Sequence, residues 1–184
     1  MHRRIRRRHL LAGLLGLAVL APAQVAGAGP AEPSVPGRIQ VPDGHKLYLV
    51  AHAEGVQIYA CTSTASGQEW RLSGPRADLF GDAGNEIGTH YAGPTWQAKD
   101  GSSVKGVRVD GVNVDPTAVD WLLLSATSPT AGADGDRLAH TTYIQRINTT
   151  GGRAPAGGCT PETVGDTAEI PYTADYAFWK SRGA

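Results

Sequence analysis

The chain has 184 residues with 17 basic and 17 acidic side chains, but that balance is uneven along its length. The five arginines among residues 3–8 are the only charged groups before Glu32, so the remainder holds 12 basic and 17 acidic groups, a formal net charge of −5. A mildly acidic chain without a basic run has no electrostatic footprint for nucleic acid or an anionic membrane surface, and neither partner is expected.

Residues 1–28 read as a signal peptide. Arg3, Arg4, Arg6, Arg7 and Arg8 form a positive head, Leu10 to Leu20 is apolar, and small residues follow with two A-x-A sites, Ala21-Pro22-Ala23 and Ala26-Gly27-Ala28. That order is the secretory pattern. The apolar core is shorter than the roughly 20 residues a helix needs to cross a bilayer, and no other run approaches that length, so no membrane insertion is expected. Arg7-Arg8 followed by His9, Leu10 and Leu11 also fits the twin-arginine form of such a leader. The expected location is secreted or otherwise extracytoplasmic. In an oxidising compartment two cysteines, here Cys61 and Cys159, read first as a disulfide. Neither sits in a C-x-x-C, and no histidine lies close by in sequence.

Gly29, Pro30, Pro33, Pro36 and Gly37 make residues 29–37 an extended lead-in, and residues 38–180 are of a size for a single β-rich domain. Leu47, Leu49 and Ala51 alternate with Tyr48, Val50 and His52; Val56, Ile58 and Ala60 alternate with Gln57, Tyr59 and Cys61. Around Pro75 to Phe80 a helical turn and a strand are equally compatible with the pattern. Val104 to Val109 is a short strand-like run between Gly101 and Gly111. Val119 to Ala126 is nearly continuously apolar, read as a strand buried on both faces or a short buried helix, with its length favouring the strand. Residues 138–147 are rich in Thr, Tyr and Ile and lack a helix-capping start. Finally, Tyr172, Ala174, Tyr176 and Phe178 alternate with Thr173, Asp175, Ala177 and Trp179. With turn residues between these runs, the pattern predicts an all-β fold, an antiparallel β-barrel or compact β-sandwich of about 8–10 strands with little helix.

Several segments together carry a resemblance: Gly55 to Cys61 (GVQIYAC), Pro75-x-Ala77-x-Leu79-Phe80, His90 to Trp96 (HYAGPTW) with Asp100-Gly101-Ser102, Trp121 to Leu124, Tyr143 to Arg146 (YIQR), Gly151-Gly152-x-Ala154-Pro155, Gly158-Cys159, and Tyr172-x-Ala174-x-Tyr176-x-Phe178. In this order the chain, from about residue 35 to 180, resembles the domain of unknown function 3455 family of secreted bacterial and fungal proteins. The resemblance implies export and a β-rich domain, and brings no mechanism with it.

The densest chemistry lies at His90 to Trp96. Gly93-Pro94 breaks a strand there, so His90 and Trp96 can flank one bend and line one mouth, with Trp96 offering a flat apolar face and one N–H donor. Its alternative is a core position. In a strand through Tyr143 to Arg146, Ile144 and Arg146 share a face. An arginine beside apolar residues needs a partner, either a structural carboxylate such as Asp100 or Asp120 or a ligand anion. The binding residues expected are therefore His90, Tyr91, Trp96 and Arg146, for a small-molecule or carbohydrate ligand.

A rival reading is a hydrolase or isomerase using His90 and Asp100 as an acid–base pair; a third is a structural envelope protein. By parity His140 falls on the Arg146 face, where it could join His90 and a carboxylate. H-x-H and H-x-x-x-H spacings are absent, however, and no metal is assigned. No G-x-G-x-x-G follows a strand, no G-x-S-x-G is present, and the paired glycines at 151–152 and 157–158 lack a phosphate-loop ending, so no cofactor is assigned.

Overall fold

The period-two segments form eight antiparallel strands, each paired with the next in sequence and the last with the first. The structure, a computed structural model, describes residues 29–183. The signal peptide expected at 1–28 lies outside the described residues. The strands are β1 (His45–Thr64), β2 (Gly67–Phe80), β3 (Glu86–Tyr91), β4 (Thr95–Ala98), β5 (Ser103–Val112), β6 (Trp121–Thr130), β7 (Tyr143–Gly151) and β8 (Thr167–Ser181). Of the two architectures expected, the barrel is the one formed. Closure through β1 and β8 leaves no open sheet edge. Two 3-10 turns, Gly37–Ile39 and Pro161–Thr163, supply the helical content.

An eight-stranded barrel is just wide enough for side chains to fill, or for one small ligand. Here one half is filled. Leu79, Ile87, Val104, Leu138, Ile144 and Phe178 pack beside the small residues Ala51, Ala53, Ala77 and Ala98. Large rings are thus accommodated by small residues elsewhere on the wall. Leu138, from the loop between β6 and β7, joins this packing, with its N–H donating to Ser102 Oγ at 3.0 Å.

Several segments resolve differently from one reading of their sequence. Pro75 to Phe80 is strand, the end of β2. Residues 138–142 are turn and loop, and the strand expected across 138–147 starts only at Tyr143. The apolar run at 119–126 is strand from Trp121 onward, and both faces are covered. Leu124 points into the barrel with Leu122 packed beside it, whereas Leu123 is buried outside against Ile39 and Ile147. The turn that follows the lead-in therefore acts as an outer strap, with Ile39 fully buried and its carbonyl accepting from Gln145 Nε2 at 2.7 Å. In β1 the more polar set, Gln57, Tyr59 and Cys61, is the fully buried one.

The outer wall carries charges midway along its strands, including Glu54, Arg76, Asp78 and the Arg76–Glu169 pair at 2.7 Å. A lipid-facing barrel presents an apolar band there instead. Among the described residues no helix is long and apolar enough to cross a membrane.

Candidate functional site

The unfilled half of the barrel contains a cavity of about 580 Å³. It opens at the end where the β1–β2, β3–β4, β5–β6 and β7–β8 connections gather. Its deep wall is built by Gln57, His90, Trp96, Leu124 and Tyr176; Arg146, Leu122 and Arg108 line it further round, and Ser73–Pro75, Gly93–Pro94 and Arg153–Ala154 contribute near the opening.

Local sequence explains this wall. In β1 and β2, Ile58 pairs with Gly74 and Tyr59 with Leu72, so Ser73 is an extra residue that bends β2 beside the cavity. Gly106 leaves room for the indole: a Cβ there would lie 3.0 Å from Trp96 Cζ3 and 3.0 Å from Leu124 Cδ2. Gly152, at φ +76°, adopts a conformation that side chains rarely take, and its carbonyl accepts from Tyr59 Oη at 2.7 Å. The disulfide Cys61–Cys159, with Cα atoms 5.3 Å apart, ties the β7–β8 connection to the far end of β1. Trp70 Nε1 reinforces the tie by donating to Gly157 O at 2.8 Å.

His90 and Trp96 are direct register partners across the β3–β4 hairpin. Their rings stack with centroids 4.3 Å apart and planes 11° off parallel, and Tyr176 meets both edge-on. The Nδ1 atom of His90 lies 2.8 Å from the Thr95 carbonyl, which can only accept, so Nδ1 carries the proton and Nε2 keeps its lone pair. Burial, the main cause, and the nearby Arg146 charge push the His90 pKa down to about 3, partly opposed by the Thr95 hydrogen bond. The imidazole is neutral in ordinary buffers.

Two donors in this wall have no partner. Trp96 Nε1 and Gln57 Nε2 are buried without a hydrogen bond, in residues each 1% exposed. Gln57 lies beside the Tyr172 hydroxyl without closing a bond of ordinary geometry. Leaving a buried donor unsatisfied costs about 1–3 kcal/mol, so two together in one wall need an explanation.

Arg146 faces inward with Ile144, as strand parity dictates. Its Nε donates to the Asp120 main-chain carbonyl at 3.0 Å, while the Asp120 carboxylate lies 3.7 Å from Arg108. The ion pair to Asp100 or Asp120 considered from sequence is thus not formed; the Asp120 contact runs through the backbone. Burial raises the pKa values of Tyr59, Tyr172 and Tyr176, and the Arg146 charge opposes the rise in each.

Tyr91 is 40% exposed and does not line the cavity, because it follows His90 in a strand and takes the opposite face; its hydroxyl donates to Gln97 Oε1. Asp100 sits in the β4–β5 turn. It accepts from the Ser102 N–H and hydroxyl at 2.9 and 2.6 Å and from the Arg137 N–H at 2.9 Å, and it is not part of the cavity lining. These hydrogen bonds, led by that of the Ser102 hydroxyl, hold its pKa below the usual carboxylate value. His140 lies in the turn before β7, 3.3 Å from Asp136, away from the strand face that parity assigned it. Among the described residues no group of three or more His, Cys, Asp or Glu side chains is arranged to hold a metal.

Gln57, Tyr176, Arg108 and Arg153 escaped sequence reasoning. For Gln57 and Tyr176 the available signal was parity, since Gln57 alternates with Val56 and Ile58, and Tyr176 with Asp175 and Ala177. Arg108 and Arg153 carried no local cue.

No curated protein and no solved structure matches the chain. Residues 42–180, essentially the whole barrel, match the family described as "Protein of unknown function (DUF3455)", and the chain belongs to that family.

Proposed function

We propose that this protein is an exported binding module that holds a small organic ligand in the mouth of its barrel. One observation carries the reading: a recess of about 580 Å³ combines apolar walls with the guanidinium of Arg146, which has no carboxylate partner among the described residues. Small-molecule sites usually measure about 300–1,000 Å³ and pair apolar lining with a few convergent polar groups. Of the residues expected from sequence, His90, Trp96 and Arg146 line the recess, and Arg146 is the most accessible of the three. Export is supported by the leader pattern of residues 1–28 and by the Cys61–Cys159 bridge.

Binding is favoured over catalysis by the state of the two groups that acid–base chemistry would need. His90 is a neutral imidazole whose pKa of about 3 makes it a weak base near neutrality. Asp100 spends its carboxylate on the Ser102 and Arg137 hydrogen bonds.

The test is a thermal-shift screen of the disulfide-intact protein against sugars, aromatic acids, fatty acids and divalent metals. A parallel screen uses Leu122→Trp, which places bulk in the recess. Stabilisation by at least one class, lost in Leu122→Trp, is expected. No shift with any class would sink the reading.

A further inference from the structure

The recess holds more positive charge than its surroundings balance. Arg108, Arg146 and Arg153 line it, against the one carboxylate of Asp120. Asp120 lies 3.7 Å from Arg108, so those two charges offset each other. Arg146 and Arg153 instead donate to main-chain carbonyls, of Asp120 at 3.0 Å and of Ala118 at 3.3 Å. Among the described residues neither guanidinium has a carboxylate within 4.0 Å. A carbonyl is a dipole without net charge, so two cations stay uncompensated in a domain whose own balance is −5. Arg153 is exposed at the rim and water can solvate it, but Arg146 is half-buried beside aromatic rings. A partly desolvated guanidinium without an anion is costly.

The neutral His90 adds no charge of its own. With Nε of Arg146 engaged by the Asp120 carbonyl and the Tyr176 hydroxyl beside its guanidinium, a terminal N–H remains to grip an anion through a charge-assisted hydrogen bond. Leu122, Leu124 and Pro94 supply walls that cannot hydrogen-bond a ring of hydroxyls. Trp96, 1% exposed and stacked by His90 on one face, offers no open platform for a sugar.

We propose that the ligand is a small organic carboxylate, with its carboxylate seated on Arg146 and an apolar body against Leu122 and Leu124. This rests on the recess being a ligand site, and the experiment separates the two claims. Isothermal titration calorimetry compares 2-naphthoate, its neutral amide 2-naphthamide, maltose and inorganic phosphate. The proteins are the disulfide-intact wild type, Arg146→Met, Arg146→Lys and Leu122→Trp, each checked for native circular dichroism.

The wild type is expected to bind one 2-naphthoate and to bind the amide at least about 10-fold more weakly. Loss of a charge-assisted hydrogen bond predicts that Arg146→Met weakens 2-naphthoate by about 10- to 100-fold and leaves the amide unchanged. Arg146→Lys falls between, and Leu122→Trp removes both. Equal affinity for naphthoate and naphthamide, or no effect of Arg146→Met, overturns the carboxylate. Phosphate binding as tightly as naphthoate overturns the apolar body. Maltose binding without naphthoate leaves a ligand site but removes the carboxylate proposal, and no binding by any probe removes both.

Discussion

Two glutamines in this barrel are equally buried, and their substitutions should move stability in opposite directions. Gln57 and Gln145 are each 1% exposed. Gln145 is fully employed: its Nε2 donates to Ile39 O at 2.7 Å and its Oε1 accepts from Trp179 Nε1 at 2.9 Å. Replacing it with methionine, similar in volume and flexibility, orphans a buried carbonyl and a buried indole N–H. At about 1–3 kcal/mol each, the expected loss is about 2–6 kcal/mol. Gln57 leaves its donor unpaired at the cavity wall. Gln57→Met removes that orphan and orphans nothing comparable, so the expected change runs from neutral to a gain of about 1–2 kcal/mol after repacking costs of under about 1.5 kcal/mol. For a domain of this size 1 kcal/mol shifts Tm by about 2–4 °C. Urea titrations of wild type, Gln57→Met and Gln145→Met at constant m-value would measure both. A destabilisation by Gln57→Met as large as that by Gln145→Met would refute the claim that the cavity wall holds an unused donor.

Three further expectations concern the disulfide, two histidines and the leader. Replacing both Cys61 and Cys159 with serine removes a cross-link spanning 98 residues, and the chain-entropy argument gives a loss of up to about 4–5 kcal/mol; limited proteolysis should then cut first in the β7–β8 connection. His52 lies 2.6 Å from Asp175 and 3.1 Å from Asp82, and the Asp175 hydrogen bond is the largest cause of its raised pKa. Its contribution is complete below the unfolded value of about 6.5 and fades as pH rises through the folded value. His90, with its pKa depressed mainly by burial, acts in reverse: its contribution is complete above about 6.5 and is lost as pH falls toward 3. Tm measured across pH should therefore flatten on the alkaline side in His52→Gln, and His90→Gln should do so on the acid side. Lastly, N-terminal sequencing of the protein recovered outside the cytoplasm should begin just after Ala23 or Ala28; a start at Met1 would contradict processing.

The barrel was legible in the sequence because parity survives wherever one face is buried. Tyr172, Ala174, Tyr176 and Phe178 all enter the interior, and Ile144 and Arg146 share the inner face. Parity alone does not say which face is inner. In β1 both sets contain apolar residues, and the buried one includes Gln57 because it borders a recess. Leu123 reads as a residue of a two-sided core strand, yet its cover is Ile39, more than 80 residues away, a contact that no local pattern announces. The neighbours His90 and Tyr91 could not both line one wall of a strand, and the clustering of aromatic residues in HYAGPTW concealed that alternation. Asp100 looked available for chemistry because its turn was visible and its partners Ser102 and Arg137 were not. The excess of arginine over carboxylate in the recess gathers residues from β5, β7 and the β7–β8 connection, so it emerges only on closure of the barrel.

The central claim is that the barrel mouth receives a small carboxylate, and a crystal structure grown with 2-naphthoate tests it most directly. The account predicts one molecule inside the recess, its carboxylate within hydrogen-bond distance of an Arg146 terminal nitrogen and its rings against Leu122 and Leu124. A recess left empty at saturating concentration, or naphthoate bound there with its carboxylate turned away from Arg146, would contradict it.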